Sequence, residues 1–333
     1  MTKGAVIRSI GTHLPSNKLT NEQLCEKLGV DTEWVLRRTG IRQRFIVDEG
    51  ESTSDLAIQA GRKALAGRPD LHVDTVLVAT ATPDRKIPGC APRVASELML
   101  SGVAAFDISA VCSGFVYGLA MARALIVSGQ SEGVLLIGAD TFSTVVDFGD
   151  SKVAPLFGDG AGAVVLSAGD SDEPGAVSEL ELGSDGAQCD LIMIPSGGSS
   201  LPTSDEPSDR YLKLEGRAVF QSAVRKMTEA CRAVLYARGV SADSVDWLVG
   251  HQANIRILRS LAASLGIPDE KAVVDIHRVG NTSAASIPLA LAALHDSGRA
   301  KPGDDVLLTA FGGGVTWGAA WMTWPQNFAC NHG

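Results

Sequence analysis

A cysteine lies where a predicted strand passes into a predicted helix. Cys112 follows the strand-like Phe106-Asp107-Ile108 and a turn of small residues, and an Ala-rich helical stretch, residues 114–127, begins beside it. The free N–H groups and the positive dipole end of such a helix favour thiolate over thiol. We therefore predict a nucleophilic thiol with a lowered pKa. Taken alone, the position also suits a buried cysteine that serves as a small apolar residue.

A histidine and an asparagine occupy comparable positions later in the chain. His251, in the motif GHQAN, ends an apolar strand and precedes a helix predicted over residues 255–265. Ligands of α/β proteins bind where strands end, so an imidazole at this point is a candidate catalytic group. Asn281, in GNTSAAS, supplies an amide donor at the start of another helix. Each has a structural alternative, a hydrogen-bonded core histidine and a helix N-cap.

Two glycine-rich loops stand in different sequence surroundings. Residues 158–163 superficially resemble a dinucleotide-binding fingerprint, but a strand-like Val164-Val165-Leu166 comes next, where that fingerprint needs a helix. We therefore exclude a nicotinamide cofactor. The second loop, residues 311–318, comes after a buried strand. Its glycines either let backbone amides approach a ligand closely or close a tight hairpin.

The elements that must position these residues alternate between short apolar strands and Ala-rich helices, which indicates an α/β protein. Residues 73–78 resemble residues 245–250, and residues 134–137 resemble residues 306–309, both at an offset of 172. These matches predict two related halves, residues 1–172 and 173–333, although chance matching in an Ala/Val-rich chain is the alternative.

Shorter matches occur at offsets of 168 and 169, and at 169 Cys112 falls on Asn281. We therefore predict pseudo-equivalent positions for these two residues and a site between the halves. A Gly/Ser/Pro-rich stretch, residues 183–209, is predicted to be a surface excursion.

Composition and charge exclude several classes of protein. The 333 residues are 45% hydrophobic and 20% charged, as in a globular protein, and the net charge of −9 argues against a broad nucleic-acid or membrane surface. No stretch approaches the roughly 18 uninterrupted apolar residues of a membrane span, and the apolar run at the start is too short for a signal peptide. We expect a cytoplasmic protein. The scattered cysteines predict neither a disulfide framework nor a metal site.

Taken together, the motifs resemble those of the β-ketoacyl-acyl-carrier-protein synthase III family, the initiating condensing enzymes of the thiolase superfamily. The resemblance covers nearly the whole chain, and the motifs stand in family order: WVLRRTGIRQR, DISAVCSGF, FGDGAGAVVL, GHQANIR, GNTSAAS and AFGGGVTWG. It implies an α/β, thiolase-like fold of five αβαβα layers built from two pseudo-equivalent halves. It also implies a homodimer that uses acyl-CoA and malonyl-acyl-carrier protein as substrates and needs no cofactor.

The resemblance assigns roles to the candidate residues. Cys112 would attack an acyl-CoA thioester, and His251 and Asn281 would hydrogen-bond the malonyl thioester oxygen while CO2 is lost and a 3-oxoacyl product forms. The backbone N–H groups of Cys112 and Gly313 would stabilise the oxyanion at the acyl-cysteine carbonyl. The matching CoA-binding residues are Trp34, Arg38, Gly216, Phe220, Asn254 and Arg256.

The resemblance also implies an acyl pocket and a carrier-protein surface. The acyl pocket would be lined by Ile87, contributed by a partner subunit, and by Phe142, Phe157 and Leu191. The aliphatic Ile87 hints at longer or branched primers. The residues expected to contact the acidic acyl-carrier protein are Arg217, Arg225, Lys226, Arg256 and Arg259.

The chain departs from the family pattern at two positions. Ser151, with Lys152 beside it, stands where well-known members have an arginine on the adenine, and Gln221 replaces a common lysine. These departures leave two other functions open. The acyl group could pass to, or condense with, a different acceptor, as in relatives from secondary metabolism. The chain could also be a catalytically silent partner subunit, although the intact Cys112 argues against this.

Overall fold

The computed structural model of the chain describes residues 3–326 and 328–331, so the two outer ends of the predicted halves lie outside the described residues. The strands are β1 (Lys3–His13), β2 (Asn17–Thr20), β3 (Gln43–Ile46), β4 (Thr75–Ala79), β5 (Ala104–Ile108), β6 (Gly133–Asp140), β7 (Gly160–Asp170), β8 (Ala176–Ser184), β9 (Ile192–Met193), β10 (Lys213–Leu214), β11 (Trp247–Gly250), β12 (Asp305–Gly312), β13 (Thr316–Thr323) and β14 (Ala329–Asn331). The helices are α1 (Asn21–Leu28), α2 (Thr32–Thr39), α3 (Thr53–Gly67), α4 (Ala91–Glu97), α5 (Gly114–Ser128), α6 (Gly216–Arg238), α7 (Ile255–Leu265), α8 (Ile276–Val279) and α9 (Ser286–Asp296).

The long strands form one sheet in the order β11-β12-β13-β8-β1-β7-β6-β4-β5, and β14 pairs with β1. Strand β6 is buried along its whole length, as the apolar run over residues 134–137 predicts for a strand covered on both faces. The first and second parts of the sheet meet where β1 pairs with β8, through Ala5 with Val177 and Val6 with Ala176.

Helices cover both outer faces of the sheet and fill the space between its two parts. Helices α3 and α4 pack on β4, β6 and β7, whereas α6 and α7 pack on β11, β12 and β13. Helices α5 and α9 lie in between and contact strands of both parts. This is the five-layered αβαβα arrangement that the family resemblance implies.

Helix α5 differs from the prediction that no stretch of the chain approaches the length and apolar character of a membrane span. Together with the short 3-10 turn before it, it is long and apolar enough to cross a membrane, with a mean hydropathy of 1.6 over Val111–Ser128, half of it buried. The helix carries Arg123, whose side chain donates to the Val177 carbonyl oxygen at 3.1 Å. Its place between two layers of strands is that of a core helix.

Two strand pairs of the sheet recur at a single offset in the sequence. Thr75 pairs with Val134 and Trp247 pairs with Val306, and both residues of the second pair lie 172 positions after those of the first. The 3-10 turns Val111–Ser113 and Ser283–Ala285 are separated by the same 172 positions. Cys112 is therefore pseudo-equivalent to Ala284, and the predicted equivalence with Asn281 is wrong.

The mistaken offset has a structural cause. Helix α9 has 11 residues and α5 has 15, so matching the ends of the two helices shifts the alignment. The match of Asp107 with Asp275 is also accidental, because the first precedes the end of strand β5 and the second is the N-cap of the short helix α8.

Candidate active site

The turn that carries Cys112 is strained. Cys112 lies in the 3-10 turn between β5 and α5, and the residue before it, Val111, has a φ of 48°. A β-branched residue in this left-handed region costs on the order of 1 to 3 kcal/mol, so surrounding contacts must hold the turn in place. Ser283, which begins the pseudo-equivalent turn, has a φ of 50°. Backbone strain therefore occurs at both turns that bear on the site.

Burial determines the protonation state of the Cys112 thiol. The side chain is buried, and desolvation raises the thiol pKa to about 12. The nearby hydroxyl of Ser283 lowers that pKa by less than burial raises it, and the buried carboxyl of Asp140 raises it further. The expected lowering of the pKa by the helix terminus is wrong, because taking a thiolate out of water outweighs the dipole. Burial therefore favours the thiol form of Cys112.

His251 is held by its backbone and by one ring nitrogen. It follows β11, and its backbone N–H donates to the Thr309 carbonyl oxygen at 2.8 Å. Its Nδ1 lies 2.6 Å from the Ser286 hydroxyl oxygen, and that hydroxyl lies 2.5 Å from the Ser283 carbonyl oxygen. The imidazole is 2% exposed, and burial lowers its pKa to about 3. The ring is therefore neutral at physiological pH, with Nε2 left for the cavity.

Asn281 is oriented by contacts at both ends. Its backbone N–H donates to the Leu156 carbonyl oxygen at 2.9 Å, and its own carbonyl oxygen accepts from the Gly158 N–H at 3.0 Å. The side-chain Oδ1 accepts from the Ser283 N–H at 2.9 Å, as an N-cap does. The Nδ2 amide group is thereby left as the donor available to the cavity.

A cavity of about 740 Å³ brings the three candidate catalytic residues together. Cys112, His251 and Asn281 all line it. None of the described lining residues is an aspartate or a glutamate, whereas four are cations: Arg38, Lys152, Arg217 and Arg256. The chain is acidic overall, but this cavity is suited to an anionic ligand.

The predicted CoA-binding residues all line the same cavity: Trp34, Arg38, Gly216, Phe220, Asn254 and Arg256. Two of the cations already lie over aromatic rings. The Arg38 guanidinium lies 4.8 Å from the Trp34 ring centre and that of Arg256 lies 5.5 Å from the Phe220 ring centre. Asn254 caps α7 and its Nδ2 donates to the Arg38 carbonyl oxygen at 3.0 Å. Asn254 thereby joins α2 to α7 at the cavity.

Two of the four predicted acyl-pocket residues line the cavity. Phe142 and Phe157 stack with ring centres 4.7 Å apart. Leu191 does not line it, and Ile192 does. Both residues pack against the apolar cluster under α6, and Ile192 also reaches the cavity. Ile87 lies outside the cavity and is 87% exposed.

The residues predicted to contact the carrier protein differ in exposure and in their pairing within the chain. Arg217, Arg256 and Arg259 are exposed. Lys226 has a side chain only 17% exposed; its Nζ lies 4.3 Å from the Trp317 ring centre and pairs with Glu229 at 3.3 Å. Arg225 is exposed and also pairs with Glu229, at 3.7 Å. Lys226 is thus largely engaged within the chain.

The second glycine-rich loop packs against the turn that carries Cys112. A Cβ added to Gly312 would lie 2.9 Å from the backbone N of Cys112 and from that of Ser113. The next residue, Gly313, lies against Val111, and Gly314 has a φ of 72° in the hairpin between β12 and β13. The loop therefore forms a tight hairpin and also brings its backbone to Cys112. The first glycine-rich loop runs into β7, the strand predicted there.

The sequence did not identify Asp140, whose hydrogen bonds hold the segments around the site together, or Ile192, which lines the cavity. The Asp140 carboxylate accepts from the Ala81 N–H at 2.7 Å and from the Ala284 N–H at 3.2 Å, so it connects the loop after β4 to the turn after Asn281. The excursion over residues 183–209 contributes Ile192 to the cavity. One group of possible metal ligands, His295, Asp296 and Cys330, occurs in the described part of the chain and does not line the cavity.

Comparison with known proteins agrees with this geometry. Residues 106–186 match the family described as 3-oxoacyl-[acyl-carrier-protein (ACP)] synthase III, and residues 235–324 match its C-terminal domain. β-Ketoacyl-[acyl-carrier-protein] synthase III 3 of Streptomyces coelicolor is 51% identical over 331 residues, which cover 98% of both chains. The chain belongs to the β-ketoacyl-acyl-carrier-protein synthase III family.

Solved structures of the synthase III family share the fold. The 3-oxoacyl-(acyl carrier protein) synthase III of Pseudomonas aeruginosa PAO1 has a TM-score of 0.92 at 44% identity, covering 97% of this chain and 99% of that one. The priming β-ketosynthase of the R1128 polyketide pathway has a TM-score of 0.90 at 30% identity, covering 97% of each chain. The thiolase-like fold is confirmed. The chain is a condensing acyltransferase, a β-ketoacyl-acyl-carrier-protein synthase III of fatty acid synthesis.

Proposed function

We propose that Cys112, His251 and Asn281 carry out the synthesis in two stages within one cavity. In the first stage the Cys112 sulfur attacks the thioester carbonyl of acyl-CoA, the bond to the CoA sulfur breaks, and CoA leaves as the thiol. In the second stage malonyl-acyl-carrier protein binds, loses CO2, and its carbon attacks the acyl-cysteine to give a 3-oxoacyl product. The observation that carries the proposal is the presence of all three side chains around one cavity of about 740 Å³.

The condensation requires stabilisation of negative charge on the malonyl thioester oxygen. The Asn281 amide is available as one donor, since its Oδ1 is already engaged by Ser283. The His251 imidazole is the second donor. Donors fixed before the reaction in a water-excluded site are worth most, typically about 3 kcal/mol each. The backbone N–H groups of Cys112 and Gly313 would serve the acyl-cysteine oxyanion in the same way.

The CoA nucleotide would lie against the outer part of the cavity. Arg38 and Arg256 offer charge to its phosphates, and the indole of Trp34 offers a stacking surface for adenine. Lys152 also lines the cavity, beside Ser151. Ser151 stands at the position where the resemblance places an arginine, and Lys152 next to it offers a point charge instead of a guanidinium.

The acyl-carrier protein would dock near Arg217, Arg256 and Arg259, which are exposed. Arg225 and Lys226, both paired with Glu229, would contribute less. This internal pairing favours a second candidate function, in which the acyl-cysteine forms in the same way but the acceptor is not an acyl-carrier protein.

A homodimer fits the exposed apolar groups at one edge of the sheet. Strand β5 ends the sheet, with Phe106 40% exposed, and Ile87 and Met99 are 87% and 88% exposed. The Asp107 carboxylate accepts from the Ala91 N–H at 2.7 Å, which fastens the loop bearing Ile87 to this edge. An unpaired edge strand with apolar neighbours is suited to pairing with a second copy. Ile87 would then reach the acyl pocket of the partner, where an aliphatic side chain would admit longer or branched primers.

The proposed reaction uses only its two substrates, without a further cofactor, and suits a cytoplasmic enzyme. Incubation with a panel of acyl-CoAs and either malonyl-acyl-carrier protein or malonyl-CoA tests it. We expect CO2 release coupled to a 3-oxoacyl-carrier product, and its loss in Cys112→Ala. Acylation of Cys112 without that product would favour the second candidate function. Product formation unchanged in Cys112→Ala would refute the proposed role of the cysteine.

A further inference from the structure

The contacts of Ser286 determine which ring nitrogen of His251 carries the proton. Ser286 begins α9 and is fully buried. Its hydroxyl oxygen lies 2.5 Å from the Ser283 carbonyl oxygen, a separation that requires a proton between the two oxygens. A serine hydroxyl has one proton to donate, so that proton is used in this bond.

In its contact with His251, the Ser286 hydroxyl oxygen must then accept the hydrogen bond. The His251 Nδ1 lies 2.6 Å from the same hydroxyl oxygen, which can only accept there. Nδ1 therefore carries the hydrogen. The neutral imidazole has one N–H, so Nε2 carries a lone pair.

A lone pair on Nε2 gives His251 a task in the first stage of the reaction. Cys112 is buried as a thiol and must lose its proton as its sulfur attacks the thioester. Among the described residues that line the cavity, the other charged groups are the cations Arg38, Lys152, Arg217 and Arg256, which have no lone pair to offer, and there is no carboxylate. Nε2 is the proton acceptor that the cavity offers.

We infer that Ser286 is a positioning residue that holds His251 in the Nδ1–H tautomer, so that Nε2 accepts the Cys112 proton during acylation. The inference rests on the proposed function. In the acylation step the thiol proton moves to Nε2, the sulfur–carbonyl bond forms, and the bond to the CoA sulfur breaks. The departing CoA sulfur takes the proton from Nε2, so the histidine returns to its starting state.

The second stage needs a hydrogen on Nε2, so that the ring can donate to the malonyl oxygen. The overall reaction consumes one proton, because the malonyl carboxylate leaves as CO2 and Cys112 is released as a thiol. A proton taken from solution at Nε2 makes the ring a donor and then passes to the Cys112 sulfur, while Nδ1–H stays on the Ser286 hydroxyl oxygen. Loss of that hydroxyl leaves Nδ1–H without an acceptor and favours Nε2–H, which cannot take the thiol proton but still donates to the malonyl oxygen. We therefore expect acylation to suffer more than condensation.

Nitrogen-15 NMR of histidine-labelled enzyme reads the tautomer without reference to activity. The His251 signals are assigned by their absence in His251→Gln. We expect the resting wild-type enzyme to show a protonated Nδ1 and an unprotonated Nε2, and Ser286→Ala to show increased protonation at Nε2. An Nε2–H ring in the wild type would overturn the inference even if Ser286→Ala cannot be purified.

Kinetics of the two stages provide the second readout. Acylation is followed by intact mass with acetyl-, isobutyryl- and octanoyl-CoA, and condensation by loss of the acyl adduct after malonyl-acyl-carrier protein is added. We expect Ser286→Ala to slow acylation about tenfold and condensation less, from the loss of one buried hydrogen bond. Equal slowing of both stages, or none, would contradict the role.

A matched control separates this role from general loss of packing. Ser9 is another fully buried serine, and its hydroxyl donates to the Ala64 carbonyl oxygen at 2.7 Å. Ser9→Ala should leave the tautomer and both rates unchanged. The inference and the proposed function can fail separately: a wild-type enzyme that condenses with Nε2–H at rest refutes the first, and one that never acylates refutes the second.

Discussion

The Asn281 side-chain oxygen accepts a hydrogen bond from the Ser283 N–H at 2.9 Å. Both residues are buried, and Ser283 has the strained φ of 50° that begins the turn before α9. The bond fixes which end of the amide faces inward: the oxygen caps the turn and the nitrogen is left for the cavity. The amide that looks like an N-cap in the sequence is thus both a cap and a candidate donor.

Asn281→Asp tests the donor without removing the cap. The variant keeps an oxygen for the Ser283 N–H but lacks the amide donor. We expect condensation to slow by about 10² to 10³, the usual effect of losing one oxyanion donor, and acylation to change by less than about threefold. Rapid-quench measurement of the two stages checks this. Equal losses in acylation and condensation would show that the amide acts on the fold rather than on the malonyl thioester.

The pH dependence of acylation follows from the protonation states of the pair. Burial raises the pKa of Cys112 to about 12 and lowers that of His251 to about 3. Neither group titrates between about pH 5 and about pH 9, so we expect the acylation rate at saturating acyl-CoA to be flat across that range. Stopped reactions analysed by mass provide the profile. A rate that rises with an apparent pKa near 7 or 8 would instead indicate a thiolate nucleophile.

Burial of His251 also makes stability depend on pH. Because the pKa falls from 6.5 in the unfolded chain to about 3 in the folded protein, the unfolded chain binds the proton first as the pH drops. The stability is fully present above the unfolded value and is lost as the pH falls below it, by about 1.4 kcal/mol per pH unit until the folded pKa is reached.

Urea unfolding of wild type and His251→Gln at several pH values between about 7 and about 4 measures this slope. We expect the free energy of unfolding to fall more steeply in the wild type than in the variant. His72→Gln, which replaces an exposed imidazole, controls for the loss of a histidine. Parallel curves for wild type and His251→Gln would show that the ring is not buried as a neutral group.

Gly312→Ala tests the contact between the second glycine-rich loop and the turn that carries Cys112. The added Cβ would lie 2.9 Å from two backbone nitrogens, so the turn bearing Cys112 must shift. We expect acylation to slow about 10²-fold and stability to fall by about 1 to 3 kcal/mol. Gly186→Ala is the control, since a Cβ there meets nothing within 4 Å. Wild-type acylation in Gly312→Ala would show that the turn tolerates displacement.

Arg256 and Arg259 lie on the same helix, but only Arg256 lines the cavity. We expect Arg256→Ala to raise the KM for acyl-CoA about tenfold with a small effect on kcat, and Arg259→Ala to raise only the KM for the carrier protein. Steady-state kinetics with each substrate varied in turn separate the two. An equal effect of both variants on the KM for acyl-CoA would place the nucleotide elsewhere.

Much of the fold is determined by local patterns in the sequence. The helix predicted over residues 255–265 is α7 with the same bounds, and the strand before His251 and the strand before Cys112 are both present. Apolar runs and turn residues determine these elements without reference to the rest of the chain. The motifs and their order are enough to select Cys112, His251 and Asn281, all of which line the cavity.

The features that sequence reasoning missed depend on contacts between distant segments. The thiol pKa of Cys112 is raised mainly by burial and also depends on Asp140 and Ser283, which are distant in the sequence, so a local helix dipole does not predict it. The sequence predicts that the Lys226 cation is free to contact a partner, but in the structure its Nζ lies over the Trp317 ring. Leu191 and Ile192 are adjacent apolar residues that both pack against the cluster under α6, and their sequence does not reveal that Ile192 is the one that lines the cavity.

The proposed two-stage reaction is tested most sharply by intact-mass measurement of the enzyme after exposure to acyl-CoA, before and after addition of malonyl-acyl-carrier protein. We expect one acyl adduct per chain, located on Cys112 and missing in Cys112→Ala, which disappears as 3-oxoacyl-carrier product forms. An adduct on another residue, or 3-oxoacyl product formed by Cys112→Ala at the wild-type rate, would contradict the proposed reaction.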